Sequence, residues 1–239
     1  MDFREPSARE LDNFRIRFCQ SERTRDTLVD NFTVSVESYE QLLPDQVVFS
    51  YATGSREIHT EFVIFNIDDD TNQVRYQPVF GEQIARKIAK KAGLKLPRKM
   101  SVLYTPSGSN GNGGGSTGTT APRKEDNRQL LLLIEFSRSL IILHQREVKP
   151  MYDPFKRIYE KLEAHPRYTV FPSEIKAINT AIRKYLNGRT NSENERFKNL
   201  QDYVAFLHEH YPEVHFKAAT FNVLKSVFQQ NYPGEKLYF

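Results

Sequence analysis

Cysteine is scarce in this chain of 239 residues, where it occurs once, as Cys19. A single cysteine excludes a framework of internal disulfide bonds and a zinc site built on several thiolates. A reducing compartment is compatible with this composition, so we expect an intracellular, cytoplasmic protein. A secreted protein without disulfide bonds remains an alternative.

Long hydrophobic runs are also missing. The most apolar stretch, residues 130–143, has 14 residues and contains Glu135 and Arg138. A membrane-spanning helix needs about 20 mostly apolar residues. The first six residues are charged and lack the apolar core of a signal peptide. We therefore expect no membrane partner, and interpret residues 130–143 as a buried helix of a soluble protein.

Hydrophobic residues make up 38% of the chain, which is below the usual globular share. Aromatic residues compensate for this, because the chain has 17 Phe and 12 Tyr. These large rings can anchor hydrophobic cores, and a wholly disordered chain would lack them. Composition therefore indicates one large folded domain or two small ones.

Charge is unevenly distributed along the chain. Residues 1–80 contain 8 basic and 15 acidic residues, whereas residues 81–100 contain 7 basic residues and 1 acidic residue. An acidic front followed by a basic segment predicts a polarised surface that can steer an anionic partner. Local fluctuation on an ordinary surface is the alternative.

Glycine is concentrated in one segment, because residues 106–127 contain six of the 11 glycines and no large apolar residue. Such a segment buries too little surface to offset its ordering entropy. We predict an α+β domain over residues 1–106, a flexible Gly/Ser/Asn-rich linker or loop over 107–127, and a helical domain over 128–239.

The first predicted domain combines helical and strand patterns. Residues 7–31 are predicted to be largely helical, although residues 14–18 alternate like a strand. Runs of β-forming residues separated by turn residues predict a hairpin or three-stranded meander and a further strand. The predicted strands are residues 33–36, 46–51, 57–67, 74–77 and 99–105. The expected sheet is small and antiparallel.

The last predicted domain is all-α. Apolar positions at helical spacing predict five helices, of which the first is apolar nearly all round and therefore central. The predicted helices are residues 127–148, 153–164, 173–187, a helix that ends near Glu209, and residues 216–230. The fold class is thus α+β, with a sheet-containing N-terminal domain and an all-α C-terminal domain.

Catalytic and cofactor motifs are weak. Residues 113–118 match G-x-G-x-x-G, but no helix is predicted at the last glycine to face a pyrophosphate. We expect no cofactor. His208, His210 and His215 lie close together in the sequence, yet their spacing does not place two metal ligands on one helix turn. A metal-dependent hydrolase is therefore the least favoured function, and we predict no catalytic residue and no metal ligand.

A basic helix over residues 81–92 is the strongest functional element. Its cations lie opposite an apolar stripe, and lysine and arginine bind nucleic-acid phosphates with release of counterions. Tyr76, Phe80 and Tyr104 flank it and are suited to stacking on bases. The predicted nucleic-acid-binding residues are Arg86, Lys87, Lys90, Lys91, Lys95, Arg98, Lys99, Arg183 and Lys184. An ordinary solvated helix face is the competing interpretation.

Two function classes follow. The leading hypothesis is a non-enzymatic nucleic-acid-binding protein that contacts DNA or RNA phosphates through the basic helix and adjoining strand. The alternative is an adaptor that binds a protein partner, or a second copy of itself, through the C-terminal helical domain.

Overall fold

The structure is a computed structural model that describes residues 3–52, 56–104, 123–144, 151, 153–186 and 197–239. The chain divides into two compact units, one built on Met1–Met100 and the other on Ser101–His144 and Met151–Phe239. The first unit combines helices with a small antiparallel sheet, and the named elements of the second are all α-helices. The expected mixture of helices and a small antiparallel sheet is confirmed.

The first unit opens with a helical region. It comprises helix α1 (Ala8–Phe14), a π-helical turn (Arg15–Cys19) and helix α2 (Glu22–Asn31). Ser7 caps α1, because its hydroxyl accepts the backbone N–H of Glu10 and its own N–H donates to the Glu10 carboxylate. The predicted helical character is confirmed, and the strand-like alternation belongs to the π-helical turn.

Six strands follow. They are β1 (Thr33–Gln41), β2 (Val48–Phe49), β3 (Glu57–Ile58), β4 (Glu61–Asp69), β5 (Val74–Tyr76) and β6 (Val79–Gly81). Strand β4 pairs antiparallel with β1, β5 and β6, which makes it the centre of a four-stranded sheet. Seven consecutive residues of β4 are buried, because both faces of this strand are covered.

The predicted meander is only partly right. The hairpin between β4 and β5 forms as expected, with the Asp69 carboxylate accepting the N–H groups of Thr71 and Asn72. However, residues 46–51 are not the sheet partner of residues 57–67, since β2 pairs with β3 over two residues only. The long partner of β4 is β1, whose alternation is interrupted by a register shift between Val36 and Ser38.

Helix α3 (Glu82–Lys91) covers the sheet. Its buried residues Ala85, Ile88 and Ala89 lie on the side that packs against β4 and β6. Gly93 follows in a left-handed conformation with φ +68, as expected for the residue after a helix end. The prediction of a helix over residues 81–92 is therefore confirmed.

The described residues of the second unit form five helices. They are α4 (Glu125–His144), α5 (Phe155–Ala164), α6 (Pro172–Leu186), α7 (Leu200–His210) and α8 (Asn222–Asn231). Helix α4 contacts each of the other four and is buried from residue 129 to residue 142. The central position follows from the apolar residues on all its sides.

Polar side chains on α4 fix its neighbours. The Gln129 side-chain oxygen accepts the N–H of Val223 and lies 3.4 Å from the N of Leu224, so it caps the first turn of α8. The buried Glu135 carboxylate forms an ion pair with Lys217. These contacts specify where α8 and the segment before it lie on α4.

Two predicted elements are wrong in extent. Residues 99–104 do not form a strand, because Met100 and Leu103 make isolated bridges to different partners, Glu40 and Phe216. Residue 105, the last of the predicted strand, lies outside the described residues. The last helix begins at Asn222 rather than at Phe216, since the bridge to Leu103 holds Phe216 in an extended conformation.

The predicted linker over residues 107–127 lies largely outside the described residues, as does the glycine motif at 113–118. Its last residues, 125–127, form the start of α4. Among the helices that the described residues form, none has the length and apolar character needed to cross a membrane.

Candidate nucleic-acid interface

The predicted cations of α3 project from its solvent side. Arg86, Lys87 and Lys90 are exposed, whereas the apolar positions of the helix are directed at the sheet. Lys95 and Arg98 are exposed in the segment that follows the helix, and Lys99 is half-buried. The structure thus brings these residues together on one helix and the chain immediately after it.

Helix α2 supplies carboxylates to this basic face. Lys87 Nζ lies 2.9 Å from Glu22 Oε1, and Lys91 Nζ lies 3.4 Å from Asp30 Oδ2. Lys91 also donates to the backbone carbonyl of Asp26 at 2.9 Å. The hydrogen bond from Lys87 lowers the pKa of the Glu22 carboxyl. Two cations of α3 are therefore compensated by the acidic front of the chain.

Two further predicted cations pair with carboxylates beside the sheet. Arg86 forms an ion pair with Glu82 of the same helix at 2.5 Å. Lys99 pairs with Glu61, whose other oxygen accepts the Tyr39 hydroxyl at 2.5 Å. Burial, together with the neighbouring Glu61 carboxylate, raises the pKa of Tyr39. This hydroxyl therefore stays protonated at neutral pH and serves as a hydrogen-bond donor.

Of the three predicted cations of this segment that are left, Arg98 has an interaction of its own within the structure, and the other two are Lys90 and Lys95. Both are exposed, and neither has a carboxylate partner among the residues that the structure describes. Exposed, uncompensated ammonium groups are the ones available to release counterions when they meet a phosphate. The charge that the sequence assigns to the whole basic segment is concentrated on these positions.

The second predicted set lies in the other unit. Arg183 and Lys184 occupy the last turn of α6 and are exposed. Neither pairs with a carboxylate within the described ranges. Arg183 lines a cavity beside α6, whereas Lys184 does not.

The aromatic residues expected to stack on bases have different environments. Tyr76 and Phe80 are buried in the core, where the Tyr76 ring stacks on Phe14 at 4.1 Å between centroids. They cannot reach a base, so this expectation is wrong for both. Tyr104 is 54% exposed.

His208 and His210 pack against aromatic rings, and Cys19 is buried. The His210 ring packs on Phe206 at 4.0 Å, and the His208 ring packs edge-on to Phe216. No three His, Cys, Asp or Glu side chains of the described segments are grouped closely enough to hold a metal ion. Burial raises the pKa of the Cys19 thiol to about 12, so it is protonated and unsuited to nucleophilic attack.

The compensating carboxylates could have been read from the sequence. Glu22, Asp26 and Asp30 recur every four residues, a spacing that places them on one face of a helix. The basic face of α3 has the same periodicity. In comparisons with protein-family models, curated proteins and solved structures, the chain shows no match.

Proposed function

We propose that the protein binds DNA or RNA through the phosphate backbone and catalyses no reaction. The observation that supports this is the exposure of four predicted cations that lack carboxylate partners among the described residues: Lys90, Lys95, Arg183 and Lys184. Contacts of this kind give affinity without reading base sequence.

The proposal includes a two-domain organisation. The two compact units correspond to an α+β domain and a helical domain, and the boundary between them lies between Met100 and Ser101. The glycine-rich segment predicted as a linker or loop over 107–127 therefore falls within the range of the second unit. Cations of both units contact the same nucleic acid, which raises the overall affinity. An intracellular location is part of the proposal and rests on the single cysteine.

Salt-dependent binding to a labelled oligonucleotide tests this function. Fluorescence anisotropy of duplex DNA, single-stranded DNA and single-stranded RNA is measured with the full chain between about 50 and 200 mM salt, where phosphate contacts lose affinity steeply. We expect binding that weakens linearly on a log–log plot. Absence of binding at low salt with all three oligonucleotides would refute the proposal.

A pair of double variants tests which cations are used. Lys90→Gln with Lys95→Gln removes two uncompensated charges, and Lys87→Gln with Lys91→Gln removes two compensated charges from the same region. We expect the first variant to flatten the salt slope by about two units and the second to change it less. Equal effects would contradict the assignment of the contacts to Lys90 and Lys95.

A protein-binding adaptor is the second candidate, and one observation favours it. Phe171, directly before α6, is 56% exposed although it is a large apolar residue. Exposed aromatic residues are frequent anchors of protein interfaces. Light scattering and a pull-down, repeated after nuclease treatment and at high salt, distinguish the two functions. A complex that persists and that Phe171→Ala weakens supports the adaptor.

A further inference from the structure

A cavity of about 260 Å³ lies beside α6 in the second unit. Its lining comes from one face of α6 and from the segment after α8. The lining residues are Asn179, Thr180, Arg183, Glu235, Lys236 and Tyr238. Neither the sequence motifs nor the nucleic-acid proposal assigns a role to this cavity.

Asn179 of α6 holds the segment after α8 in place along one side of the cavity. Its side-chain amide donates to the Lys236 carbonyl at 3.0 Å, and its side-chain oxygen accepts the Tyr238 N–H at 2.8 Å. Asn179 is 5% exposed, so this pairing is shielded from water. The Tyr238 carbonyl in turn accepts the N–H of Leu200. The position of Lys236 across from α6 is therefore set by backbone contacts.

The cavity has an excess of positive charge. Arg183 and Lys236 have no carboxylate partner among the described residues, and the Lys236 ammonium lies 5.1 Å from the centre of the Tyr238 ring. Among the described lining residues, Glu235 is the one that is acidic, and its carboxylate is already paired with Lys176 at 2.5 Å. Two cations thus face the cavity against one compensated carboxylate.

Size and chemistry together define the class of ligand. Cavities for drug-sized molecules measure about 300 to 1,000 Å³, so this cavity suits a smaller group. An arginine guanidinium presents a planar fork of N–H donors that matches phosphate oxygens, and a lysine ammonium adds a point charge. The Thr180 hydroxyl supplies a further donor in the lining.

We propose that this cavity binds the phosphate group of a small phosphorylated ligand, with Arg183 and Lys236 as its two cationic contacts. The inference does not depend on nucleic-acid binding, because it needs only the second unit and its own lining. Free orthophosphate, a mononucleotide and a 5′-terminal phosphate share this chemistry. Each of the three is a separate arm of the test.

The test measures binding to the full chain by calorimetry and by thermal shift. The probes are inorganic phosphate, adenosine monophosphate, and a short oligonucleotide with or without a 5′-phosphate, each compared with sodium chloride at equal ionic strength. We expect at least one phosphate probe to bind and to raise the melting temperature above the chloride control. Adenosine without phosphate is expected not to bind.

Point variants locate the site. Arg183→Ala and Lys236→Ala are expected to reduce affinity for the phosphate probe at least about tenfold, the scale of one charge-assisted contact. Lys198→Ala is the control, since it removes a positive charge from an exposed position of the same unit outside the cavity lining and outside the proposed nucleic-acid contacts. Arg183→Lys keeps the charge without the fork and is expected to recover part of the affinity.

Each outcome has a defined meaning. Selective loss with Arg183→Ala and Lys236→Ala supports the cavity. No phosphate-specific binding with any probe, or equal loss with Lys198→Ala, overturns it. Failure of the nucleic-acid proposal is recognised separately, because it is the absence of oligonucleotide binding at low salt whether or not a 5′-phosphate is present.

Discussion

Neutralising the acidic face of α2 is expected to increase affinity for nucleic acid. The triple variant Glu22→Gln, Asp26→Asn and Asp30→Asn removes the carboxylates that pair with Lys87 and Lys91. The two ammonium groups then become available to phosphates. Each added phosphate contact on duplex DNA steepens the log–log salt slope by about 0.9.

The expected change in affinity can be calculated from the release of two cations, Lys87 and Lys91. A slope that is steeper by about 1.8 corresponds, over a fourfold rise in salt from about 50 to about 200 mM, to an additional loss of affinity of about 12-fold. The variant therefore binds more tightly than the parent at low salt and converges on it at high salt. Anisotropy of a labelled duplex measures both curves.

Folding is expected to be almost unaffected by this change. The side chains of Lys87 and Glu22 are 64% and 65% exposed, and exposed ion pairs contribute little to stability. The lowered pKa of Glu22 means that the contribution of its pair is present above the unfolded-state pKa and is lost as pH falls through the lower folded-state pKa. At neutral pH the parent pair is intact, which makes this the pH for the comparison.

A matched variant separates local pairing from net charge. Glu5→Gln with Asp12→Asn and Asp45→Asn removes three exposed carboxylates of the same unit that do not pair with α3. We expect it to change the slope much less than the triple variant of α2. If both variants steepen the slope equally, the argument that α2 masks particular cations is refuted.

Three further predictions concern the fold and the cysteine. Asn179→Ala removes two buried hydrogen bonds, and urea denaturation should show a loss of about 2 kcal/mol. Leu133→Ala creates a cavity at a fully buried position of α4 and should cost about 2 to 5 kcal/mol, whereas Leu143→Ala, at a partly exposed position, should cost less. Cys19 should not react with a thiol reagent near pH 8 until the protein is unfolded, because burial raises its pKa to about 12; rapid reaction in the native state would contradict the burial.

Amphipathic helices could be predicted from the sequence, and the full length of β1 could not. Helices such as α3 repeat an apolar stripe at a spacing set by the backbone alone. Strand β1 instead buries Glu37, Ser38 and Glu40, polar residues that carry no apolar signal. Its register shift also breaks the alternation by which a half-buried strand is recognised. The length of β1 is therefore determined by its tertiary pairing with β4, which the local sequence does not show.

Of the two candidate sites, one could be predicted from sequence periodicity and the other could not. The α2 carboxylates and the α3 cations each recur at helical spacing, so the sequence predicts an acidic face on one helix and a basic face on the other. The cavity beside α6 brings Lys236 to Arg183 through hydrogen bonds of Asn179 to backbone groups. Backbone groups are the same at every residue, so no sequence pattern marks such a contact.

The cations without a carboxylate partner among the described residues differ in how strongly they support anion binding, and their positions in the fold explain the difference. Lys90, Arg183 and Lys184 lie in the last turns of α3 and α6, where the helix dipole favours positive charge. Their presence therefore has a structural reason in addition to a functional one. Lys95 and Lys236 lie outside any helix, and neither has a carboxylate partner within the described residues. Lys236 lies 5.1 Å from the centre of the Tyr238 ring. Among the described residues, however, no carboxylate or helix dipole compensates either charge, so binding of an anion is the explanation that they support most directly.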